Sequence, residues 1–249
     1  MVMPARRILV LAGTRAGREL AAALLAEHHH VVTSLAGVTS DPILPQGMVR
    51  TGGFGDVEGL VNYLQKERFH LIADATHPFA VNMSRHAYAA ANAVGISYIR
   101  LERQEWRPRP GDDWIIAQSA ADAADQLPYG STVLLTIGRK QVAPFFTRDD
   151  LKGVVRMIET PVQRPPSGWQ LLISRPPFAK DTEKELMVRS GITHLVAKNS
   201  GGDDGFAKLV AARECQVKVV VIKRPHKPDA ACFSEVGELV RSLHNSLLP

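Results

Sequence analysis

The stretch Arg7-Ile-Leu-Val-Leu-Ala-Gly-Thr-Arg-Ala-Gly17 decides the fold class. Residues 7–12 read as a short strand with a continuous apolar run and no alternation. A strand of that kind is covered on both faces, which points to a parallel sheet between helical layers. Gly13 breaks the run, and an Ala/Leu-rich stretch at helical spacing follows over 18–27. At such a strand-to-helix turn, backbone N–H groups and the helix dipole can hold a phosphate while glycines permit close approach. Thr14 and Arg15 add a hydroxyl and a guanidinium. The full G-x-G-x-x-G is not present, because Arg15 and Arg18 stand in its second and third glycine positions, so a plain turn is the competing reading.

Working outward, apolar strands recur at 31–35, 71–73 and 97–101, separated by helical spacing at 57–68 and 80–94. That alternation is the pattern of βαβ units. Residues 102–113, with Pro108, Pro110 and Gly111 among charges, show no periodicity and read as a linker. A second series follows, with strands expected at 114–117, 132–137, 154–158, 171–174, 194–197 and 217–222, and helices at 120–127, 182–189, 206–215 and 235–243. The expectation is an α/β protein of two Rossmann-like domains with parallel sheets and an interdomain cleft as the natural ligand site. Residues 1–102 form the cofactor-binding domain in this reading, 103–113 the linker, and 114–249 a second domain that closes the cleft.

The chain has 249 residues, 45% of them hydrophobic and 22% charged, enough for one large core or two smaller ones. No apolar run reaches the ~20 residues of a membrane span, and 1–7 lead straight into a strand instead of a signal-peptide core. A cytoplasmic protein with no membrane association is expected. Cys215 and Cys232 lack ligand or disulfide spacing, so neither a metal site nor a disulfide framework is indicated. The net charge of +5 and pI near 9.4 favour an anionic partner. Basic residues fall in short loop clusters, such as Arg139/Lys140 and Lys223/Arg224/Lys227, and aromatics are only 6% without an RNP-like pattern. A compact anion suits this distribution better than nucleic acid.

Five further segments carry candidate chemistry. Asp74-Ala-Thr-His-Pro-Phe-Ala80 follows the strand at 71–73, where open α/β sheets collect ligands. His77 can donate, accept or carry charge near neutral pH, Pro78 stiffens the backbone, and Phe79 offers a flat apolar surface. A turn in which Asp74 or Thr76 acts as a cap is the alternative. The second strand ends Thr33-Ser-Leu-Ala-Gly37 without the Asp or Glu that accepts a ribose 2′-hydroxyl, which favours NADP over NAD. Thr51-Gly-Gly-Phe-Gly-Asp56 precedes a helix that Asp56 can cap. In the second half, Thr136-Ile-Gly-Arg-Lys140 and Lys198-Asn-Ser-Gly-Gly202 occupy matching strand ends, each presenting hydroxyl and cationic groups. No Gly-x-Ser-x-Gly elbow, P-loop or His-Glu-x-x-His occurs, and no tyrosine has a lysine four positions on, so hydrolase, NTPase, zincin and short-chain dehydrogenase readings lack support.

Together, Gly13-Thr14, Asp74 to Ala80, Tyr98-Ile-Arg-Leu-Glu-Arg103, Thr136-Ile-Gly-Arg139 and Lys198-Asn-Ser-Gly-Gly202 resemble the precorrin-6A reductase family of cobalamin biosynthesis, almost end to end. The family often carries an acid shortly after Gly-Thr, where this chain has Ala16. The resemblance implies NADPH-dependent reduction of one double bond of a polycarboxylate tetrapyrrole to give precorrin-6B, without a metal. It implies NADPH contacts from Gly13, Thr14, Arg15, Ser34, Gly52, Gly53, Phe54 and Gly55. Thr76 and Phe79, with Arg139, Lys198, Asn199 and Ser200, would meet the substrate, and His77 would donate a proton or polarise the reacting system. A monomer with at most transient contacts to neighbouring pathway enzymes goes with this reading. A cobalt-precorrin-6A reductase and a non-catalytic NADPH-sensing module stay open as alternatives.

Overall fold

The apolar strands pair side by side in parallel, and their order carries the architecture. The computed structural model describes residues 4–37, 43–161 and 164–244. In chain order the first elements are β1 (Arg7–Leu11), α1 (Arg15–Ala26), β2 (His30–Leu35), β3 (Met48–Thr51), α2 (Val57–Lys66), β4 (Leu71–Asp74), α3 (Val81–Val94) and β5 (Ser97–Leu101). Then follow β6 (Trp114–Ala117), α4 (Ala120–Asp125), β7 (Thr132–Leu135), α5 (Ala143–Phe146), β8 (Lys152–Met157), β9 (Trp169–Ile173), α6 (Lys180–Arg189), β10 (His194–Lys198), α7 (Ala207–Glu214) and β11 (Lys218–Ile222). The last described elements are β12 (Ala231–Phe233) and α8 (Val236–His244). Among the described residues no helix is long and apolar enough to cross a membrane.

Two six-stranded sheets result, ordered β3-β2-β1-β4-β5-β12 and β9-β8-β7-β10-β11-β6. Every pairing is parallel. The first is the doubly wound 3-2-1-4-5-6 order of a Rossmann sheet. The second repeats it, except that its sixth strand, β6, comes from the start of its segment instead of the end. The expected α/β class with two Rossmann-like parallel sheets is the class observed.

Strand β1 shows why the runs are continuous. Its side chains alternate between faces, so Ile8 and Val10 join a core with Leu20, Leu24, Leu239 and Leu243, while Leu9 and Leu11 join Leu60, Leu64 and Ala87 on the other side. These four apolar β1 side chains are at most 1% exposed. Burying a residue of this size stabilises by about 1.5–3 kcal/mol, so a charge at any of the four would be strongly disfavoured. Leu20 and Leu24, one turn apart on α1, supply the matching helical stripe.

The expected boundaries 103–113 and 114–249 differ from the observed units. Residues 104–224 form the second unit, and the chain on both sides of them forms the first. Two packing facts explain the difference. Strand β12 pairs with β5, Ala231 opposite Ile99, and the apolar face of α8 buries Leu239 and Leu243 against α1 in the first core. The supposed linker is also no linker: Trp106 is 7% exposed within the second core, and its indole N–H donates to the Gly202 carbonyl at 2.7 Å. Asp112 pairs with Arg213 of α7 at 2.8 Å. The unpatterned stretch is a strap fastened by side chains that periodicity does not reveal.

Candidate active site

In the first sheet the strand order reverses between β1 and β4, which opens a crevice at the carboxyl ends of those strands. The Gly13 turn and the Asp74 to Ala80 loop both emerge there. Helix α1 starts at Arg15, three residues before the expected start. Thr14 is its N-cap, accepting from Gly17 N–H at 3.1 Å and donating to the Ala75 carbonyl at 3.0 Å. Its hydroxyl therefore ties the two loops together. Gly17 performs the close-packing role of a Rossmann glycine: a Cβ there would lie 2.9 Å from Ala12 Cβ and 3.4 Å from the Ala75 carbonyl oxygen. Gly13 sits at φ +135°, a conformation L side chains rarely adopt. Arg15 is exposed and bonds Glu19 along the helix at 2.7 Å.

Asp74 organises the second loop. Its carboxylate is 1% exposed and accepts four hydrogen bonds. Thr76 N–H and hydroxyl bind one oxygen at 3.0 and 2.6 Å, and the hydroxyls of Ser84 and Tyr98 bind the other at 2.5 and 2.7 Å. Burial, reinforced by the neighbouring Asp74 charge and hydrogen bond, pushes the Tyr98 phenol far above its ordinary range, so it stays a donor. Lys227, only 5% exposed, approaches Thr76 Oγ1 at 3.4 Å and Glu102 at 3.4 Å. Asp74 is thus the anchor of the turn, not a reacting group.

Beyond Thr76, Ala80 N–H donates to the His77 carbonyl at 2.8 Å, closing a turn with Pro78 at its second position. Phe79 N–H donates to His77 Nδ1 at 3.2 Å, and the two rings stand 5.7 Å apart. With Nδ1 accepting, the neutral imidazole carries its hydrogen on Nε2. Thr76, His77 and Phe79 therefore occupy one rigid turn, as the sequence suggested.

At the other side of β1, Ser34 lies on β2 at 5% exposure, and its register partner on β3 is Arg50. Arg50 donates to Ser34 Oγ at 2.9 Å and to the carbonyls of Gly52 and Gly53 at 3.0 Å each. Its guanidinium lies 3.8 Å from the Phe54 ring centre. Ser34, Gly52, Gly53 and Phe54 are thereby gathered around one side chain, with Gly55 leading into the helix capped by Asp56. Sequence reasoning missed both Arg50 and its strand, because four residues, Met-Val-Arg-Thr, on a half-exposed edge give no periodicity.

The second sheet reverses between β7 and β10, and the loops 136–140 and 198–202 leave those two strands. Thr136 repeats the tether seen at Thr14, donating through Oγ1 to the Val196 carbonyl at 3.0 Å. Lys198 closes β10 half-buried, and burial together with the nearby Lys140 charge lowers its pKa to about 8. Arg139 is exposed on the short turn after Gly138. Asn199 is 7% exposed, and its amide binds both backbone groups of Trp106, accepting at 2.8 Å and donating at 3.1 Å. The expected substrate contact thus spends its side-chain bonds on holding the strap. Gly201 must be glycine there, since a Cβ would lie 2.1 Å from the Gln104 carbonyl oxygen. Arg224 Nε donates to the Asn199 carbonyl at 2.7 Å and Ser200 hydroxyl to the Lys198 carbonyl at 3.4 Å.

Two doubly wound sheets, each with tethered loops at its reversal point, define an α/β protein of the dinucleotide-fold class. The family described as precorrin-6x reductase CbiJ/CobK matches residues 7–244, and the chain belongs to it. A precorrin-6A reductase of Rhodococcus erythropolis is 45% identical over 90% of this chain and 91% of its own. A cobalt-precorrin-6A reductase of Methanocaldococcus jannaschii is 27% identical over 76% of this chain and 78% of its own. A solved structure described as CobK precorrin-6A reductase superposes with a TM-score of 0.91 at 34% identity, covering 96% of each chain.

Proposed function

We propose that the protein is an NADPH-dependent oxidoreductase that saturates one carbon–carbon double bond of precorrin-6A, giving precorrin-6B in cobalamin biosynthesis. The observation that carries this reading is the family match over 7–244, joined to a Rossmann reversal point whose glycine turn and His77 loop are tied by Thr14. The similarity of 45% to a precorrin-6A reductase against 27% to a cobalt-precorrin-6A reductase favours the cobalt-free substrate.

The first unit fits a dinucleotide. Gly13 and Gly17 keep the backbone open and close-packed where a pyrophosphate would meet the α1 N-terminus, and the loop 52–55 would hold the adenosine end. Bound NADPH supplies the hydride. The chain's own part is orientation and proton supply. Thr76 and Phe79, locked through Asp74, present a polar edge and a flat face to a planar macrocycle. Nε2 of His77 is the atom from which the imidazolium form can pass a proton to the carbon neighbouring the reduced one, returning to the neutral imidazole that accepts from Phe79 N–H. In the second unit Lys198, Arg139 and Ser200 are assigned to the acetate and propionate carboxylates, through charge-assisted hydrogen bonds. Asn199 belongs to this group only as the residue that positions the loop. Exposure of the chain to NADPH and precorrin-6A should consume NADPH, and cobalt-precorrin-6A should be the slower substrate. A chain that binds NADPH without oxidising it in the presence of either macrocycle would be a sensor and not a reductase.

A further inference from the structure

We infer that Lys227 is a positioning residue for the reduction: its buried ammonium locks the Thr76 hydroxyl in one orientation and so fixes the turn that carries His77 and Phe79. The inference rests on the proposed reductase activity and adds to it a residue from the other end of the chain. Lys227 stands between β11 and β12, in the unpatterned stretch Arg224-Pro-His-Lys-Pro-Asp229. Pro228 disfavours the helical region for the residue before it, so this stretch does not coil into a helix. His226 faces solvent with its side chain 81% exposed, beside Asp229 at 3.6 Å, whereas the Lys227 side chain is 3% exposed.

Burying an ammonium costs several kcal/mol, and an ion pair inside a protein is often no more stabilising than apolar side chains of the same size. Glu102 offsets part of that cost at 3.4 Å, yet Glu102 already has a cation in Arg100 at 4.0 Å. An apolar side chain could therefore fill the place of Lys227. What it could not do is hold the Thr76 hydroxyl, which has one hydrogen and two lone pairs. The hydrogen goes to Asp74 Oδ1 at 2.6 Å and a lone pair faces Lys227 Nζ at 3.4 Å, so turning the hydroxyl breaks its bond to the carboxylate. The ammonium on the oxygen side also polarises the O–H toward Asp74. Asp74 takes its other bonds from the Thr76 amide and the Ser84 and Tyr98 hydroxyls, all neutral, so Lys227 brings a positive charge to within one hydroxyl of the buried carboxylate. Lys227, Thr76 and Asp74 all belong to the first unit, although 151 positions separate the lysine from the threonine. With Thr76 fixed at both its amide and its hydroxyl, the turn closed by His77 and Ala80 starts from a set point.

The test compares the full-length wild type with Lys227→Met, Thr76→Val and the double variant, each checked for folding by circular dichroism. Turnover of precorrin-6A with saturating NADPH should fall about 10-fold in Lys227→Met, the scale of one hydrogen bond to a charged group, with both KM values kept within about twofold. Thr76→Val should lose at least as much, and the double variant no more than Thr76→Val alone, because both changes remove the same link. Losses that multiply in the double variant would overturn the inference, since Lys227 would then act elsewhere than through Thr76. Unchanged turnover in folded Lys227→Met would overturn it too. Hydrogen–deuterium exchange of the ligand-free protein gives a readout that needs no substrate: the peptide spanning 75–80 should exchange about 3- to 10-fold faster in Lys227→Met, with α1 and α2 unchanged. Unchanged exchange at 75–80, or faster exchange throughout the unit, would reduce Lys227 to a packing residue and overturn the assignment. If Lys227→Met does not fold, Lys227→Gln takes its place and is judged by the same outcomes. Wild type that shows no turnover would defeat the reductase reading, while the exchange result would still decide whether Lys227 fixes the turn.

Discussion

The two reversal points have the same strand order and the same threonine tether, yet their loops are built from opposite materials. At the first, a buried carboxylate, Asp74, collects hydroxyls and an amide from three elements and leaves His77 and Phe79 on a stiff turn. At the second, cations dominate: Lys198 ends the strand with its pKa lowered by burial and by the nearby Lys140, and the loop is held from outside by the Trp106 strap. A shared scaffold thus supports two chemistries, because the sheet fixes where loops emerge and side chains fix what they recognise. In this reading the first holds the dinucleotide and reacting atoms, and the second recognises anionic substituents.

Breaking the first loop should have the largest effect. Asp74→Ala strands the buried Ser84 and Tyr98 hydroxyls without their acceptor, and denaturant unfolding should show a loss of about 3 kcal/mol or more. His77→Ala leaves those bonds intact. Its turnover should drop about 100-fold while the NADPH dissociation constant moves less than about twofold. Equal losses in both would transfer His77 from proton supply to cofactor binding. A smaller and opposite pattern is expected at the second loop, where Lys198→Met should raise KM for the macrocycle about tenfold and spare NADPH. The lowered Lys198 pKa adds a pH signature. Its charge is lost as pH rises through about 8, so macrocycle affinity should weaken above that pH in wild type and stay flat across it in the methionine variant. Folding responds with the other sign: from about 8 up to the ordinary lysine range the unfolded chain binds more protons, so that group adds stability as pH rises.

The comparison also shows what sequence can and cannot reveal. Buried parallel strands announce themselves as apolar runs, so β1, β4, β7 and β10 and the loops that leave them were legible. Strands β3 and β12 were not, since Met48–Thr51 and Ala231–Phe233 are short, partly exposed edge strands with no run to detect. Missing β12 shifted the domain boundary, and missing β3 hid Arg50. Site residues were legible by position and less so by role. Thr14 and Asn199 carry polar side chains at ligand-facing strand ends, but their hydrogen bonds go to Ala75 and to Trp106, partners 61 and 93 residues away. Only tertiary pairing can show that a polar group is already engaged.

The central claim is that hydride moves from NADPH to the precorrin-6A ring on this chain. Incubation with NADPH deuterated at the nicotinamide C4 position, one epimer at a time, followed by mass spectrometry of the macrocycle, tests it most directly. One deuterium retained in the product from one of the two epimers, with one NADPH oxidised per ring, is the expected result. Product without deuterium from either epimer, or oxidation of NADPH without reduction of the ring, would contradict it.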